Sequence, residues 1–158
     1  PFFITKSTGK NIELEHQPHE NYEIGGSFTL VDGMKGNPSK FGRDWLGFWG
    51  KDLNATIDLG KSETISKISI NTLLSKGSWI YYPKEIQFLV SNDGINYQSI
   101  QIISQKEIEI KKGKVVIEFP KLKAKFIQIV AKNNGIIADG NPGAGSNSWL
   151  FVDEISVE

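Results

Sequence analysis

Apolar residues alternate with polar ones along almost the whole chain, and that period of two restricts the possible folds more than any other feature. Ile12 and Leu14 open the pattern, followed by Ala55, Ile57 and Leu59, then Ile65, Ile68 and Ile70. It continues through Ile86, Phe88 and Val90, through Val115, Ile117 and Phe119, and through Ile127, Ile129 and Ala131, and closes with Val152, Ile155 and Val157. Residues two apart share one face of a strand, so each run offers a core-facing side. Helical spacing over three turns occurs nowhere, and Gly or Pro interrupts most windows long enough to carry it. Asn92-Asp93-Gly94 predicts a tight hairpin turn, since Asp-Gly tolerates positive φ. Many short strands with turn signals between them predict an all-β fold, a β-sandwich or jelly roll.

Composition narrows the function. The chain of 158 residues is expected to form one domain over residues 1–158, burying roughly 70% of its unfolded surface. Eighteen Lys and Arg balance eighteen Asp and Glu, so no net field draws it to nucleic acid or an anionic membrane. The most basic patch, Lys111-Lys112-Gly113-Lys114, reads as a solvated hairpin turn, because it lacks the interleaved aromatics of nucleic-acid sites. Without cysteine there is neither a disulfide framework nor a thiolate metal site. No apolar run approaches the ~20 residues of a membrane span, so membrane insertion is not expected. The chain opens with Pro1 and carries no signal peptide, which suggests a piece of a longer protein.

The remaining information lies in four loops, where a rigid sandwich presents binding groups. His16 to Gly26 holds both histidines and Tyr22. Gly33 to Gly50 holds Phe41, Arg43, Asp44, Trp45, Phe48 and Trp49. Asn71 to Pro83 holds Lys76, Trp79, Tyr81 and Tyr82. Asn133 to Ser148 runs for sixteen residues, rich in Asn and Gly, a length that in a compact domain is usually functional. Asp32 stands on a glycine turn, and Asp153 and Glu154 lie in the final strand. Carboxylates at strand ends beside such loops suggest a hard cation and a sugar-facing surface. Trp45 and Phe48 read as core. The histidines read as surface residues, since a zinc site would need a third ligand.

The order Leu30-Val-Asp-Gly, Trp45-Leu-Gly-Phe, Ile57-Asp-Leu-Gly, Ile65-Ser-Lys-Ile, Pro83-Lys-Glu-Ile-Gln-Phe, Ser91-Asn-Asp-Gly, Phe126-Ile-Gln-Ile and Asp153-Glu-Ile resembles the discoidin-like, coagulation factor V/VIII C-type domain. Within that group it is closer to carbohydrate-binding module family 32. Asn141-Pro-Gly-Ala-Gly followed by Trp149-Leu-Phe-Val-Asp-Glu-Ile is similar to the C-terminal module of bacterial family 20 β-hexosaminidases (chitobiase-like enzymes). The resemblance implies a galactose-binding-domain-like jelly roll and a structural calcium ion. Asp32 and Glu154 would be its carboxylate ligands, Met34 a carbonyl donor, and Asp44 an optional addition, in keeping with the oxygen preference of Ca²⁺. The plainer alternative is that Asp32 caps a turn and Glu154 faces solvent.

For the sugar, the resemblance implies an aromatic just before the last strand, the position of Trp149, with polar groups from neighbouring loops. Trp79, Tyr82 and Lys76 of the third loop and Asn133 and Asn147 of the fourth complete the expected site. Asn134, Asp139 and Asn141 are further hydroxyl-binding candidates. An aromatic face packs on the apolar side of a pyranose while amides bind its hydroxyls. Relatives place an Arg near Lys76 and a His after the equivalent of Trp45. Their absence here leaves the sugar open between amino sugars and galactose-type residues. The implied partners are a glycan or monosaccharide and an upstream catalytic domain of the same chain. A monomer is expected, at a secreted, periplasmic or cell-surface location.

Catalysis within this chain is not expected. A glycosidase needs two carboxylates across a cleft, and the suitable pair is assigned to calcium. There is no Gly-x-Ser-x-Gly elbow or phosphate loop. The rival reading is a discoidin-like protein-binding or adhesion domain, since Trp and Tyr also serve as protein hot spots, or a structural spacer that has lost sugar binding. Lipid binding is disfavoured because the loop from Asn133 to Ser148 has no Lys or Arg beside its Ile136-Ile137 pair.

Overall fold

In the computed structural model, described for residues 2–23, 25–39 and 44–158, the alternating runs become strands. These are β1 (Asn11–Leu14), β2 (Leu46–Trp49), β3 (Leu53–Thr72), β4 (Glu85–Ser91), β5 (Gln98–Ser104), β6 (Lys114–Lys132) and β7 (Trp149–Val157). They pair antiparallel in the order β2-β7-β3-β6-β4-β5, with β1 along β3. Phe41 and Arg43 of the second loop lie outside the described residues.

Strands β3 and β6 pair along nearly their whole lengths, with register shifts between Asp58 and Glu63 and between Ile65 and Lys67. Such irregularities bend and twist a pair. On one side of the bend, Leu53–Asp58 lies between β1 and the end of β6, which continues to β4 and β5. On the other side, Ile68–Thr72 lies between the start of β6 and β7, which carries β2. One sheet therefore doubles back into the two layers of a jelly roll. Ile57, Phe88 and Ile129 of the first layer meet Ile68, Ile70, Val115, Ile117 and Val157 of the second in one buried cluster. Each such side chain contributes about 1.5–3 kcal/mol of transfer free energy. The all-β jelly roll expected from the sequence is the fold observed.

Three local readings change. A helix, α1 (Gln105–Ile110), interrupts the strands after β5. Ser104 Oγ accepts from the Glu107 N–H and the Glu107 carboxylate accepts from the Ser104 N–H, a reciprocal cap that suits so short a helix. The Asn92–Gly94 turn is longer than a tight hairpin, because β4 ends at Ser91 and β5 starts at Gln98. Asp93 Oδ1 organises it by accepting from the N–H groups of Ile95 and Asn96, each at 2.8 Å. The Lys111–Lys114 turn joins α1 to β6, so it is not a hairpin.

Candidate functional site

The acidic centre grows from an irregularity in β7. Opposite the single residue Ile70, β7 has both Glu154 and Ile155, and Glu154 takes a left-handed φ of 36°. The bulge turns two consecutive acids inward on the face away from Val152 and Ile155, and Asp153 and Glu154 are buried. The Glu154 carboxylate accepts from the Gly33 N–H at 3.2 Å to each oxygen, and Asp153 Oδ2 accepts from the Gly36 N–H. A Cβ on Gly33 would lie 2.5 Å from the Phe3 carbonyl oxygen, so only glycine permits this approach.

Asp32 meets Glu154 as the sequence anticipated. Burial first, then a hydrogen bond and the charge of Asp32, push Glu154 up to about 9. Burial, with smaller additions from Asp32 and Asp44, pushes Asp153 up to about 7 despite its bond from Gly36. Asp153 Oδ1 is buried and has no hydrogen-bond partner among the described residues. Among the described residues no Lys or Arg pairs with Asp32, Asp153 or Glu154.

These residues fit a hard cation in part. Asp32 and Glu154 supply carboxylate oxygens side by side, and the Met34 carbonyl accepts no bond from any described residue. Met34 is itself on the turn, its N–H held by Asp32 Oδ1 at 2.8 Å. No three acidic or histidine side chains among the described residues converge as a metal-binding group, so carbonyls would have to complete any shell, which Ca²⁺ accepts. Asp153 was noted among the carboxylates of the last strand but not assigned to the expected ligand set. Its signal was a second acid beside Glu154 in an otherwise apolar strand.

The aromatic rim lies at the start of the same strand. Trp149 of β7 is the cross-strand partner of Trp49 of β2, their rings 4.9 Å apart. Trp79 lies over Trp49 at 6.4 Å and 23°. His19 and Tyr22 meet the Trp149 ring edge-on at 5.0 and 5.1 Å. Trp149 and Trp49 are half-buried, whereas Trp79 is 40% exposed. Trp79 also has a φ of 62°, a conformation rare for a bulky residue and frequent at functional sites. Backbone bonds hold it there, Trp149 N–H to the Trp79 carbonyl at 2.9 Å and Tyr81 N–H to the Trp149 carbonyl at 3.2 Å.

The fourth loop is closed on itself beside this rim by its own bonds, including Ile137 N–H to Ser146 and Gly145 N–H to Ile137. The Tyr81 hydroxyl donates to the Pro142 carbonyl at 2.8 Å. Gly143 packs on Trp79 so closely that a Cβ would fall 2.8 Å from the ring.

The expected sugar residues separate into three places. Trp79 and Trp149 sit together on the rim, joined by Trp49, whose outward position follows from Phe48 pointing inward in the strand. Asn147 is exposed beside Gly50 at its edge. Lys76 and Tyr82 line a groove of about 610 Å³ with Tyr81, Gln105, Asn134 and Asn141, which does not include the indoles. Burial and the charge of Glu109 raise the Tyr82 hydroxyl above its ordinary value, so it is a neutral donor.

Asn133 corrects the expectation. It is buried, with its Nδ2 donating to the carbonyls of Lys51 and Ser148 at 3.1 and 3.2 Å and its Oδ1 accepting from the Gly135 N–H at 2.8 Å. Its amide ties the loop base and is not free for a ligand. Trp45 and Phe48 are core, as read.

Residues 15–152 match the family model described as the F5/8 type C domain. No curated protein sequence is significantly similar to the chain. Among solved structures, a fucose-binding module of Streptococcus pneumoniae superposes with a TM-score of 0.66 at 16% identity, covering 99% of this chain and 98% of that one. A family 32 module of Clostridium perfringens, in complex with GalNAc-β-1,3-galactose, gives 0.63 at 17%, covering 98% and 99%. Chitosan-binding module 1 of a Paenibacillus sp. IK-5 chitosanase/glucanase gives 0.64 at 15%, covering 98% of each. At these identities the likeness establishes the fold. Among the described residues no helix is long and apolar enough to cross a membrane.

Proposed function

The chain belongs to the F5/8 type C domain family, and from that premise we propose that it is a non-catalytic carbohydrate-binding module. The observation that carries the reading is Trp79, an indole held 40% exposed in a strained backbone conformation on top of Trp49. An aromatic plane fixed in this way offers a sugar's C–H face a platform without an ordering cost on binding. In this proposal Asn147, exposed beside Gly50 at the edge of the rim, binds a sugar hydroxyl. The ligands are terminal amino sugars or galactose-type residues. The solved relatives named for GalNAc-β-1,3-galactose and chitosan bind such chemistry.

Monovalent affinity in the millimolar-to-micromolar range, roughly −4 to −8 kcal/mol, suits a shallow rim. Dense glycan would raise it through effective concentration. In this proposal Asp32, Glu154 and the Met34 carbonyl would hold a calcium ion, which would fix the turn from Gly33 to Gly36. It takes no part in sugar chemistry.

The parent is proposed to be a secreted bacterial glycoside hydrolase of the chitobiase type, with this chain monomeric beside its catalytic domain. The support is the likeness of the Asn141–Gly145 loop and last strand to such modules. A family 20 catalytic domain encoded upstream is the expected finding; another context would remove that part alone.

A glycan array with the wild type, Trp49→Ala and Trp79→Ala tests the binding. Wild-type binding to amino-sugar or galactosyl termini, weakened about tenfold or more in Trp79→Ala, is expected from loss of one stacking platform. Equal binding by all three proteins would remove the rim as the site.

A further inference from the structure

The basic turn found in the sequence does more than face solvent. Lys112 and Lys114 stand at a cavity of about 320 Å³ separate from the aromatic rim, joined there by Lys35. Trp45, Leu73 and Tyr82, all buried, form its inner wall. Among the described residues it is lined by these three cations and no carboxylate, in a chain whose formal charge is zero. None of the three lysines pairs with an acid among the described residues. The Lys35 ammonium lies 4.6 Å from the Phe3 ring centroid, a contact that attracts the cation without neutralising it.

The turn that carries Lys112 and Lys114 is held rigidly. Gly113 has a φ of 80°, and a Cβ on it would fall 2.4 Å from the Thr72 carbonyl oxygen. Its carbonyl accepts from both the Thr72 N–H and the Thr72 hydroxyl, at 2.8 and 3.1 Å. The side chain of Asn71, on the same wall, makes no hydrogen bond to a described residue and is half-exposed.

We propose that this cavity binds an acidic sugar residue, a uronate, as a second and anion-selective saccharide site. Its size is at the small end of ligand pockets, ~300–1,000 Å³. Lysine ammoniums attract a carboxylate as point charges without demanding bidentate geometry. The Asn71 amide serves a hydroxyl, and Leu73 with the Tyr82 ring serves the apolar face. A nucleic acid would need an exposed stacking surface, and the ring at the floor, Trp45, is 4% exposed. The site stands independently of the aromatic rim.

Backbone amide spectra of the 158-residue chain, titrated with glucuronic acid, glucose and acetate in parallel, test it. Glucuronic acid is expected to shift the amides of Asn71, Leu73 and Gly113, while glucose and acetate at the same concentration leave them in place. Lys112→Gly with Lys114→Gln should weaken that response about fivefold to tenfold, as two partly exposed charge contacts are lost. Lys112 has a φ of 53°, so glycine there preserves the turn. Indole N–H signals of Trp49 and Trp79 report the rim separately, so failure of one site is distinguishable from failure of the other. Equal shifts with acetate would reduce the cavity to a general anion site, and no shift with glucuronic acid would end the proposal. Binding to phosphatidylserine vesicles that the double variant abolishes, without a glucuronic acid response, would reassign the surface to a membrane.

Discussion

Two buried acids with few partners set the behaviour at the scale of single residues. Asp153 and Glu154 are raised to about 7 and about 9 by burial first and then by the charge of Asp32. The folded state therefore keeps protons that the unfolded chain releases above about pH 4. Stability from this source is complete below that pH and falls as pH rises through the raised values. Bound calcium would favour the ionised forms and cancel much of the slope. Melting temperature measured with chelator should thus decline from about pH 5 to about pH 8, and added calcium should raise it most at the alkaline end. Superimposable profiles with and without calcium would contradict the proposed ion. Asn133 makes a different prediction. Asn133→Ala removes bonds to two carbonyls and the Gly135 N–H, costing about 2 kcal/mol through unsatisfied buried groups. A denaturation midpoint would show it. The sequence did not reveal this role because a loop rich in Asn does not say which amide points inward. The pairing of Asp32 with Glu154 was legible only through the family resemblance, which named both as ligands of one ion. The inward turn of Asp153 was not, because a bulge leaves no mark in composition.

At the scale of elements, alternation made most of the strands readable, and what it missed was set by other forces. Helix α1 has too few turns to show periodicity, although Ser104-Gln-Lys-Glu107 carries a capping signature. Ser104→Ala should cost about 1 kcal/mol, visible as a shifted unfolding midpoint with the β-sheet signal unchanged at low denaturant. The rim depends on how the fourth loop packs. Gly140 and Gly143 share a left-handed φ, 84° and 83°, but a Cβ meets nothing within 4 Å at Gly140 and strikes Trp79 at Gly143. Alanine at either position should cost ~1–2 kcal/mol in backbone strain. Only Gly143→Ala should displace the indole, changing tryptophan fluorescence and lowering sugar affinity. Matching fluorescence and affinity in the two variants would show that the loop does not position Trp79. Trp49 was named among the loop aromatics but given no role at the site, because its strand reads as an apolar run. Its exposure depends on Phe48 taking the core side, which pairing with β7 decides.

For the whole molecule, the last strand is a central one. β7 lies between β2 and β3, carries Trp149 at one end and Asp153 with Glu154 in its middle, and completes both the core and the acidic centre. The chain's beginning is tied to it as well, with the Lys6 N–H donating to the Val157 carbonyl at 2.8 Å and the Ser7 hydroxyl to the Ile155 carbonyl at 2.6 Å. Contacts between the two ends of a chain are formed late, after loop closure has been achieved over its full length. No stable partial sandwich should therefore exist without β7, because its absence exposes Ile68, Ile70 and the edge of β2 together. Deleting Trp149–Glu158 should abolish cooperative thermal unfolding altogether, whereas a domain whose layers were independently stable would retain a transition at lower temperature. Circular dichroism melts of the truncated and full chains decide between these. A surviving sharp transition would mean that the β4–β5 layer folds on its own, and that the aromatic rim and acidic centre are attached to it without being built into it.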